Sequence, residues 1–304
     1  MSKTLTEDDL KVLENFEHQG DINTTPDEII EHVKHSIRLG YPQVKPGPMQ
    51  AQRVCLIAGG PSLDDTFDEI RRLYFEGVLI VTVNGAYQWC LDRNIQPSAQ
   101  IVLDARAGNA RFVNPPAPRC KYLIASQCHP ETWAQVEGRP EVYIWHGAAS
   151  DNPHLKPILD EYYAGRWTAL PGGTTVTVRA ILLLRILGYI RFEIFGWDSC
   201  YMHGKHHAYA QTENDSDRPV AVAIEPTGHP ELRRGFYVAP WMLKQLECAL
   251  QTVKLYGDNF KFRVHGDGMI AYALECCATV GSVEIINGRT PTGESEPVAL
   301  PSRT

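Results

Sequence analysis

Seven short apolar runs alternate with helix-like segments between Arg53 and His265, and this alternation limits the possible folds more than any other feature. Strands that alternate with helices form a parallel sheet covered by helices on both faces. The sequence therefore predicts an α/β fold with a doubly wound, mostly parallel sheet. The predicted strands are Val54–Ala58, Val78–Val83, Gln100–Leu103, Tyr122–Ala125, Val142–Trp145, Phe192–Phe195 and Phe262–His265.

The intervening segments carry helical patterns near 65–75, 85–93, 107–113, 130–136, 153–163, 175–187 and 239–256. Residues 1–50 predict a helical N-terminal extension that ends in a Pro/Gly-rich linker. In its second helix Thr25 is the expected N-cap, Pro26 opens the first turn and Gly40 stops the helix. We predict one main domain over 51–285 and a polar, extended tail over 286–304.

Charge and composition exclude several classes of protein. The formal net charge is −7 at pH 7, which disfavours general nucleic-acid binding. The sequence contains no apolar run of the ~20 residues that span a bilayer, and the acidic N-terminus lacks the apolar core of a signal peptide. We therefore expect a cytoplasmic protein without membrane association. Its eight cysteines form no C-x-x-C pair and are expected to be reduced thiols.

A glycine-rich turn, Gly59-Gly60-Pro61-Ser62, follows the first predicted strand. Glycine lets a backbone approach a ligand closely, and the free amides that begin a helix favour an anion. Ser62 is expected to cap that helix. The turn lacks both the G-x-G-x-x-G pattern and the lysine of a P-loop. It predicts a nucleotide phosphate or ribose over the turn, with an ordinary strand-to-helix turn as the alternative.

Polar residues follow the next two strands. The second strand ends at Asn84, and Gly85 opens the next helix. A further strand ends at Asp104, and Arg106 follows it. Because parallel strands present their carboxyl ends at one sheet edge, Asn84 and Asp104 are expected side by side. Asn84 suits a base or sugar, and Asp104 suits Mg²⁺ or a ribose hydroxyl. Arg106 suits a phosphate or an ion pair with Asp104. Helix capping by Asn84 and Asp104 is the alternative.

A second glycine-rich helix start precedes a strongly apolar helix that should be central in the fold. Its residues are Gly172, Gly173, Thr174 and Thr175. The helix dipole and free amides suit an anion there as well. An ordinary N-cap by Thr174 or Thr175 is the competing interpretation.

Titratable residues cluster after the strand Phe192–Phe195. Asp198 is expected at the carboxyl edge of the sheet, and a loop follows with His203, Lys205, His206 and His207. One histidine would serve as general acid or base and Lys205 would hold phosphate. The histidine spacing is not that of a zinc site, and a solvated loop is the alternative. His229 is a further candidate for the same pocket.

Four segments in this order resemble a known family: CLIAGGPSLDD, VNGAYQWCLDRNIQPSAQIVLDAR, GGTTVTVRAILLLRILGYIRFEIFGWDSCY and GKHHA. Together they resemble the 6-hydroxymethylpterin diphosphokinase-like family, which also contains bacterial flagellar motility accessory factors. The resemblance covers about 53–210 and implies a Rossmann-like nucleotide-binding domain. Ser98 stands where that family often has Asp. More distantly the chain is similar to Rossmann-like bacterial sialyltransferases, which use a cytidine-monophosphate sugar and a histidine base.

The resemblance implies a nucleotide-dependent transferase, in one of two versions. A diphosphokinase would move a pyrophosphoryl group from a nucleoside triphosphate to a hydroxymethyl-type acceptor, with Mg²⁺ held by Asp104 and Asp198. A glycosyltransferase would transfer a nucleotide-activated sugar to a small-molecule or glycan acceptor without metal, with His206, His207 or His229 as base.

Two other classes stay open. The chain could be a non-catalytic nucleotide-binding assembly protein with a docking surface on its N-terminal helices. A nicotinamide-dependent dehydrogenase ranks lowest, because the dinucleotide fingerprint is absent and the second strand ends at Asn84 rather than at an acidic residue. The sequence does not decide between a monomer and a homo-oligomer.

Overall fold

A computed structural model of the chain describes residues 24–147, 152–170, 175–211, 213, 217, 219–226, 229–256, 261–276 and 280–286. The helix predicted within 1–23 and the tail predicted after 286 lie outside these residues. So do Gly172, Gly173 and Thr174.

Helices and strands alternate along the described ranges. The helices are α1 Pro26–Arg38, α2 Phe67–Phe75, α3 Ala86–Leu91, α4 Pro130–Ala134, α5 Leu155–Tyr163, α6 Val176–Ile186, α7 Pro240–Tyr256 and α8 Met269–Glu275. The strands are β1 Gln50–Ile57, β2 Leu79–Val83, β3 Ala99–Val102, β4 Lys121–Ala125, β5 Val142–Trp145, β6 Tyr189–Phe195, β7 Val220–Pro226, β8 Arg234–Val238, β9 Lys261–Val264 and β10 Val280–Ile286. Short 3₁₀ turns span Pro61–Leu63, Ala107–Val113 and Pro230–Leu232.

The main sheet has seven parallel strands in the order β5-β4-β3-β2-β1-β6-β9. The chain builds outward from β1 to β5 and then returns to β6 on the other side of β1. The strand order thus reverses between β1 and β6, and in sheets of this kind ligands bind outside the carboxyl ends at that point. All seven predicted strands are present, so the predicted α/β, Rossmann-like fold is confirmed.

Two hydrophobic clusters cover the two faces of the sheet. Side chains alternate along β1, so that Val54 and Leu56 belong to the larger cluster while Cys55 and Ile57 belong to the smaller one. Helix α6 lies against the larger cluster, with eight buried residues from Thr177 to Leu184. The expectation that this helix is central is confirmed.

Helix α1 belongs to the same larger cluster. Thr25 and Glu28 form a reciprocal capping box at its start, and Gly40 follows its end in the left-handed region, at φ 73°. Val33 and Ile37 are fully or almost fully buried in the main core. The segment that follows pairs with the edge strand β5 through Val44 N and Ile144 O at 2.9 Å. The described part of the predicted extension, from residue 24 onward, therefore packs against the main domain.

A second, antiparallel sheet of order β10-β7-β8 was not predicted. Its strands lie in 220–286, where charged residues and prolines interrupt the apolar pattern. The seven described cysteines are free thiols, as expected, and Cys277 lies outside the described residues. Within the part of the chain that the structure covers, no helix is long and apolar enough to cross a membrane.

Candidate functional site

A cavity of about 240 Å³ lies at the carboxyl ends of the strands, at the point where the strand order reverses. The turns after β1, β2, β3 and β6, the start of α6, the loop after Asp198 and the first turns of α7 contribute to its lining. Small ligands bind at this position in doubly wound sheets.

Asp198 joins the turn after β6 to the turn after β1. Its Oδ2 accepts from the backbone N of Ser62 at 2.8 Å, and its Oδ1 accepts from the Ser62 hydroxyl at 2.7 Å. The expectation that Ser62 caps the following helix is wrong, because Ser62 lies inside the 3₁₀ turn Pro61–Leu63 and Thr66 occupies the N-cap position of α2. Burial raises the pKa of Asp198 to about 6, although the hydrogen bonds from Ser62 oppose this shift.

The glycines of the turns make room for side chains of the chain itself. A Cβ on Gly60 would lie 2.3 Å from Oδ2 of Asp198. A Cβ on Gly59 would lie 2.4 Å from Oη of Tyr209, and one on Gly85 would lie 2.4 Å from Cε2 of the same ring. The adjacent Ala208 N donates to Gly59 O at 3.0 Å. The segment 206–209 therefore crosses both turns, and these close approaches account for the glycines without a ligand.

Asn84 and Asp104 lie side by side, as predicted. The Asn84 Nδ2 donates to Oδ2 of Asp104 at 2.8 Å, from a backbone with φ 45°. Arg106 lies 3.5 Å from Oδ1 of Asp104, so the predicted ion pair is present. The two side chains are 28% and 34% exposed and face the cavity, which leaves both accessible to a ligand.

Thr175 occupies the N-cap position of α6 and lines the cavity. Its hydroxyl makes no capping hydrogen bond. The side chain is therefore not explained by helix capping, which was the competing interpretation. The rest of the predicted glycine-rich start, Gly172 to Thr174, lies outside the described residues.

The structure separates the candidate histidines. His206 and His207 line the cavity, with ring centroids 4.6 Å apart. Burial, with a smaller contribution from His206, lowers the pKa of His207 to about 4, so the ring is neutral at pH 7. His203 and Lys205 are exposed and do not line the cavity. His229 is 52% exposed, pairs with Glu231 at 3.1 Å and does not line the cavity either.

Unpartnered polar atoms concentrate along this cavity. Among the buried side-chain atoms of the described residues that lack a hydrogen-bond partner, five belong to cavity-lining residues: Asn84 Oδ1, Arg106 Nε, Thr175 Oγ1, Trp197 Nε1 and His207 Nδ1. A buried polar group without a partner costs roughly 1–3 kcal/mol. Native proteins leave few such groups, and several around one cavity mark a place where bound water or a ligand would satisfy them.

The cavity residues that sequence reasoning missed include Trp197, Tyr209, Trp241 and Gln245. Trp197 directly precedes the predicted Asp198, and Tyr209 follows the histidine cluster by two residues, so proximity to these motifs was an available signal. Trp241 and Gln245 come from the first turns of α7. No motif marks them, and only the packing of α7 beside β6 brings them to the site.

The predicted metal ligands fit Mg²⁺ only as a partial set. Both carboxylate oxygens of Asp198 are hydrogen bonded to Ser62, whereas Asp104 is accessible. Within the described ranges no group of three or more His, Cys, Asp or Glu side chains could hold a metal ion. Mg²⁺ is often held by one or two carboxylates together with substrate phosphates, and Asp104 meets that smaller requirement.

Fold and site together define an α/β protein of Rossmann-like architecture with its ligand cavity at the switch point of the sheet. A family model described as 6-hydroxymethylpterin diphosphokinase MptE-like matches residues 29–204, more than half of the chain. The chain therefore belongs to the MptE-like family, and the resemblance seen in the sequence is confirmed. No curated protein matches it in sequence.

Two kinds of solved structure are similar. The MAf glycosyltransferase from Magnetospirillum magneticum AMB-1 matches with a TM-score of 0.56 and 16% identity, over 83% of this chain and 41% of that chain. The present chain thus spans less than half of that protein. A mammalian sialyltransferase in complex with Gal-beta-1-3GalNAc-ortho-nitrophenol matches over 86% of this chain and 87% of that chain. Its identity is 10% and its TM-score is 0.36, too low to establish a shared fold.

Membership of this family supports a transferase-type function.

Proposed function

We propose that the protein is a nucleotide-dependent transferase whose donor binds in the switch-point cavity. The observation that supports this most strongly is the set of five buried, unpartnered polar atoms along one cavity. They combine donors, an acceptor and a hydroxyl, which is the mixture that a nucleotide, together with an acceptor hydroxyl beside His207, would satisfy.

The first candidate reaction is transfer of a pyrophosphoryl group from a nucleoside triphosphate to a hydroxymethyl-type acceptor. The acceptor oxygen attacks the β-phosphorus, the bond between that phosphorus and the α-phosphate bridging oxygen breaks, and a nucleoside monophosphate leaves. Family membership favours this version. Phosphoryl-type transfer depends mainly on positioning and on positive charge near the phosphates.

In this version the phosphates lie near the start of α6, where Thr175 and the helix amides donate to them. Arg106 neutralises phosphate charge, and the Asn84 amide oxygen accepts from a sugar or base. Asp104 would hold Mg²⁺ together with the phosphates, and the ion would neutralise charge that develops on the leaving phosphate. The acceptor proton passes to His207, which is neutral at pH 7.

The second candidate is metal-independent glycosyl transfer from a CMP- or other nucleotide-activated sugar. The acceptor oxygen attacks the anomeric carbon, the bond from that carbon to the phosphate oxygen breaks, and His207 takes the acceptor proton. The observation that favours it is that Ser62 occupies both oxygens of Asp198, which leaves Asp104 as the accessible carboxylate of the predicted pair.

A ligand screen tests the proposal and separates the two versions. Thermal unfolding would be followed with ATP, GTP, CTP, CMP, UDP and NAD, each with and without Mg²⁺. A ligand at 100 times its dissociation constant adds about 2.7 kcal/mol to the free energy of unfolding. A Mg²⁺-dependent shift with a purine triphosphate supports pyrophosphoryl transfer, and a metal-independent shift with CMP supports glycosyl transfer. No shift with any nucleotide overturns the proposal.

Turnover is then measured as release of nucleoside monophosphate, which the pyrophosphoryl and CMP-sugar versions share. Asp104→Asn should lose Mg²⁺-dependent release in the first version and keep activity in the second. If nucleotide binds but no acceptor supports monophosphate release, the non-catalytic nucleotide-binding class is favoured instead.

A further inference from the structure

A second cavity lies at the opposite edge of the main sheet, at the amino ends of the strands. Its volume is about 540 Å³. The residues that line its apolar wall come from four strands and from α6 and the turn after it: Leu79, Val81, Ala99, Leu123, Tyr143, Leu184 and Leu187. This cavity shares no residue with the switch-point cavity, so a ligand here would be distinct from the nucleotide and its acceptor.

The apolar wall is continuous across the sheet. Val81 pairs with Ala99, and Ala99 pairs with Lys121 on the next strand. Lys121 and Leu123 lie on the same face, since they are two residues apart in β4. The backbone of the segment that carries Lys45 closes one side, held by the Gly47 N to Ile186 O hydrogen bond at 2.9 Å. The cavity is therefore formed by ordered backbone on both sides.

Three cations line this cavity: Lys45, Arg119 and Lys121. All three are exposed, and none of them takes part in an ion pair among the described residues. The chain has a formal net charge of −7. The three unpaired cations beside the apolar wall therefore form a local positive patch on an otherwise acidic protein. Such a site attracts an anionic head group.

Arg119 is held in an unfavourable backbone conformation. Its φ is 61°, in the left-handed region where glycine is the favoured residue. Arg119 also lines a neighbouring cavity together with Ser98, so it lies between the two spaces. A non-glycine residue in this backbone region is grounds for a functional hypothesis.

We propose that this cavity binds a small amphipathic anion, with an apolar chain against the sheet wall and a carboxylate between Arg119 and Lys121. The apolar chain is stabilised by removal of its surface from water. The carboxylate is stabilised by charge-assisted hydrogen bonds, which are stronger than neutral ones. The volume lies within the range of small-molecule sites, roughly 300–1,000 Å³.

The test uses the full-length protein and titration calorimetry with dodecanoate, held below its critical micelle concentration. Dodecanol at the same concentration tests whether the negative head group matters. The key variant is R119G/K121Q. Glycine at position 119 relieves the positive φ, so this variant should keep or raise the melting temperature while it removes two of the three cations.

The matched control is K34Q/R71Q, which removes two exposed cations that belong to helix-surface ion pairs and do not line this cavity. The proposal expects one dodecanoate per chain, at least about tenfold weaker binding to R119G/K121Q, and unchanged binding to K34Q/R71Q. It also expects weaker binding at high salt. Absence of dodecanoate binding, equal affinity for dodecanol, or equal losses in both double variants would overturn it.

Binding should also persist in Asp104→Asn, which alters the switch-point cavity only. Because the readout is dodecanoate affinity and involves no nucleotide, failure of this proposal leaves the transferase proposal intact, and the converse holds as well.

Discussion

The two carboxylate oxygens of Asp198 are both hydrogen bonded to one residue, Ser62, whose backbone N and hydroxyl donate at 2.8 and 2.7 Å. Asp198 is 2% exposed and Ser62 is 1% exposed. This contact ties the adjacent strands β1 and β6 together at the point where the strand order of the sheet reverses. The Asp198 carboxylate, which the sequence predicted as a metal ligand, therefore has a structural role.

The contact predicts a pH dependence of stability. Burial raises the pKa of Asp198 to about 6 from an ordinary value near 3.8. The native state thus holds the proton more tightly than the unfolded state does. The contribution of Asp198 is fully present below pH 3.8 and is lost as the pH rises through about 6. The expected loss is on the order of 3 kcal/mol.

Asp198→Asn should remove this loss. The Asn amide oxygen can accept from the Ser62 backbone N, and its amide N can donate to the Ser62 hydroxyl. We therefore expect D198N to match or exceed the wild type in free energy of unfolding at pH 7.5 and to fall below it at pH 4.

Urea unfolding at both pH values measures the difference between variant and wild type. His146 and His207 have pKa values lowered to about 4 and favour the native state as the pH rises, but they contribute equally to both proteins. Parallel pH profiles would contradict the account of Asp198.

Tyr209 and the glycine turns predict a specific coupling. A Cβ on Gly85 would lie 2.4 Å from Cε2 of Tyr209, and Gly85 has a φ of −67° that alanine also adopts. Gly85→Ala should therefore destabilise the protein by overpacking alone, by roughly 1–3 kcal/mol. The same change in a Tyr209→Ala background should cost much less, as a double-mutant cycle would measure.

Gly108→Ala is the matched control, because its Cβ would meet only the Arg111 side chain, at 3.6 Å. It should change the free energy of unfolding by less than about 0.5 kcal/mol. A cost for G85A that is the same with and without Tyr209 would show that the ring does not set the need for glycine.

The seven parallel strands could be predicted from the sequence because each is a short apolar run beside a helical pattern. The adjacency of Asn84 and Asp104 followed from the rule that parallel strands end at one edge. The glycine turns were harder to interpret. Gly59 and Gly85 have the same sequence signature whether a phosphate or the Tyr209 ring lies above them, and only the path of a loop more than a hundred residues later distinguishes the two.

Long-range packing also determines which of the polar candidate residues lie in the cavity. His207 and His229 are both loop histidines in sequence, yet one lines the cavity and the other pairs with Glu231 outside it. Ser62 looks like a helix cap, but Asp198 lies close enough to compete for its hydroxyl. The hydrogen-bond partner of a polar side chain depends on residues that are distant in the sequence. The local sequence pattern therefore does not predict it.

Trp197 supplies a test of whether the cavity holds a ligand. Its indole N–H is buried without an acceptor, and the residue lines the cavity. Trp197→Phe removes the donor and keeps an aromatic ring. If a bound nucleotide or acceptor receives that hydrogen bond, its affinity should fall about 5- to 30-fold.

The melting temperature without ligand should not fall through loss of a hydrogen bond, because the donor has no acceptor in the free protein. Calorimetry with the nucleotide that gives the largest thermal shift provides the measurement. An unchanged dissociation constant in W197F would place the ligand elsewhere in the cavity.

His207 should accept the proton of the acceptor hydroxyl, and its buried environment predicts the pH range over which the enzyme is active. The pKa of His207 is lowered to about 4, so the basic form is present above that pH. The acidic limb of kcat/KM, which reports the free enzyme, should therefore lie near pH 4 instead of near the ordinary histidine value of 6.5. Loss of a positioned base costs roughly 10²- to 10⁴-fold in rate, so His207→Gln should lower the rate of monophosphate release by that factor.

His229→Gln is the matched control for this variant, since His229 is exposed and lies outside the cavity lining. Both variants should retain nucleotide affinity, which separates loss of a base from loss of binding. If H207Q keeps the wild-type rate while H229Q loses it, the base is His229 and the loop that carries it must move to reach the cavity. If neither variant loses activity, proton transfer falls to the neighbouring His206, which His206→Gln would then show by the same assay.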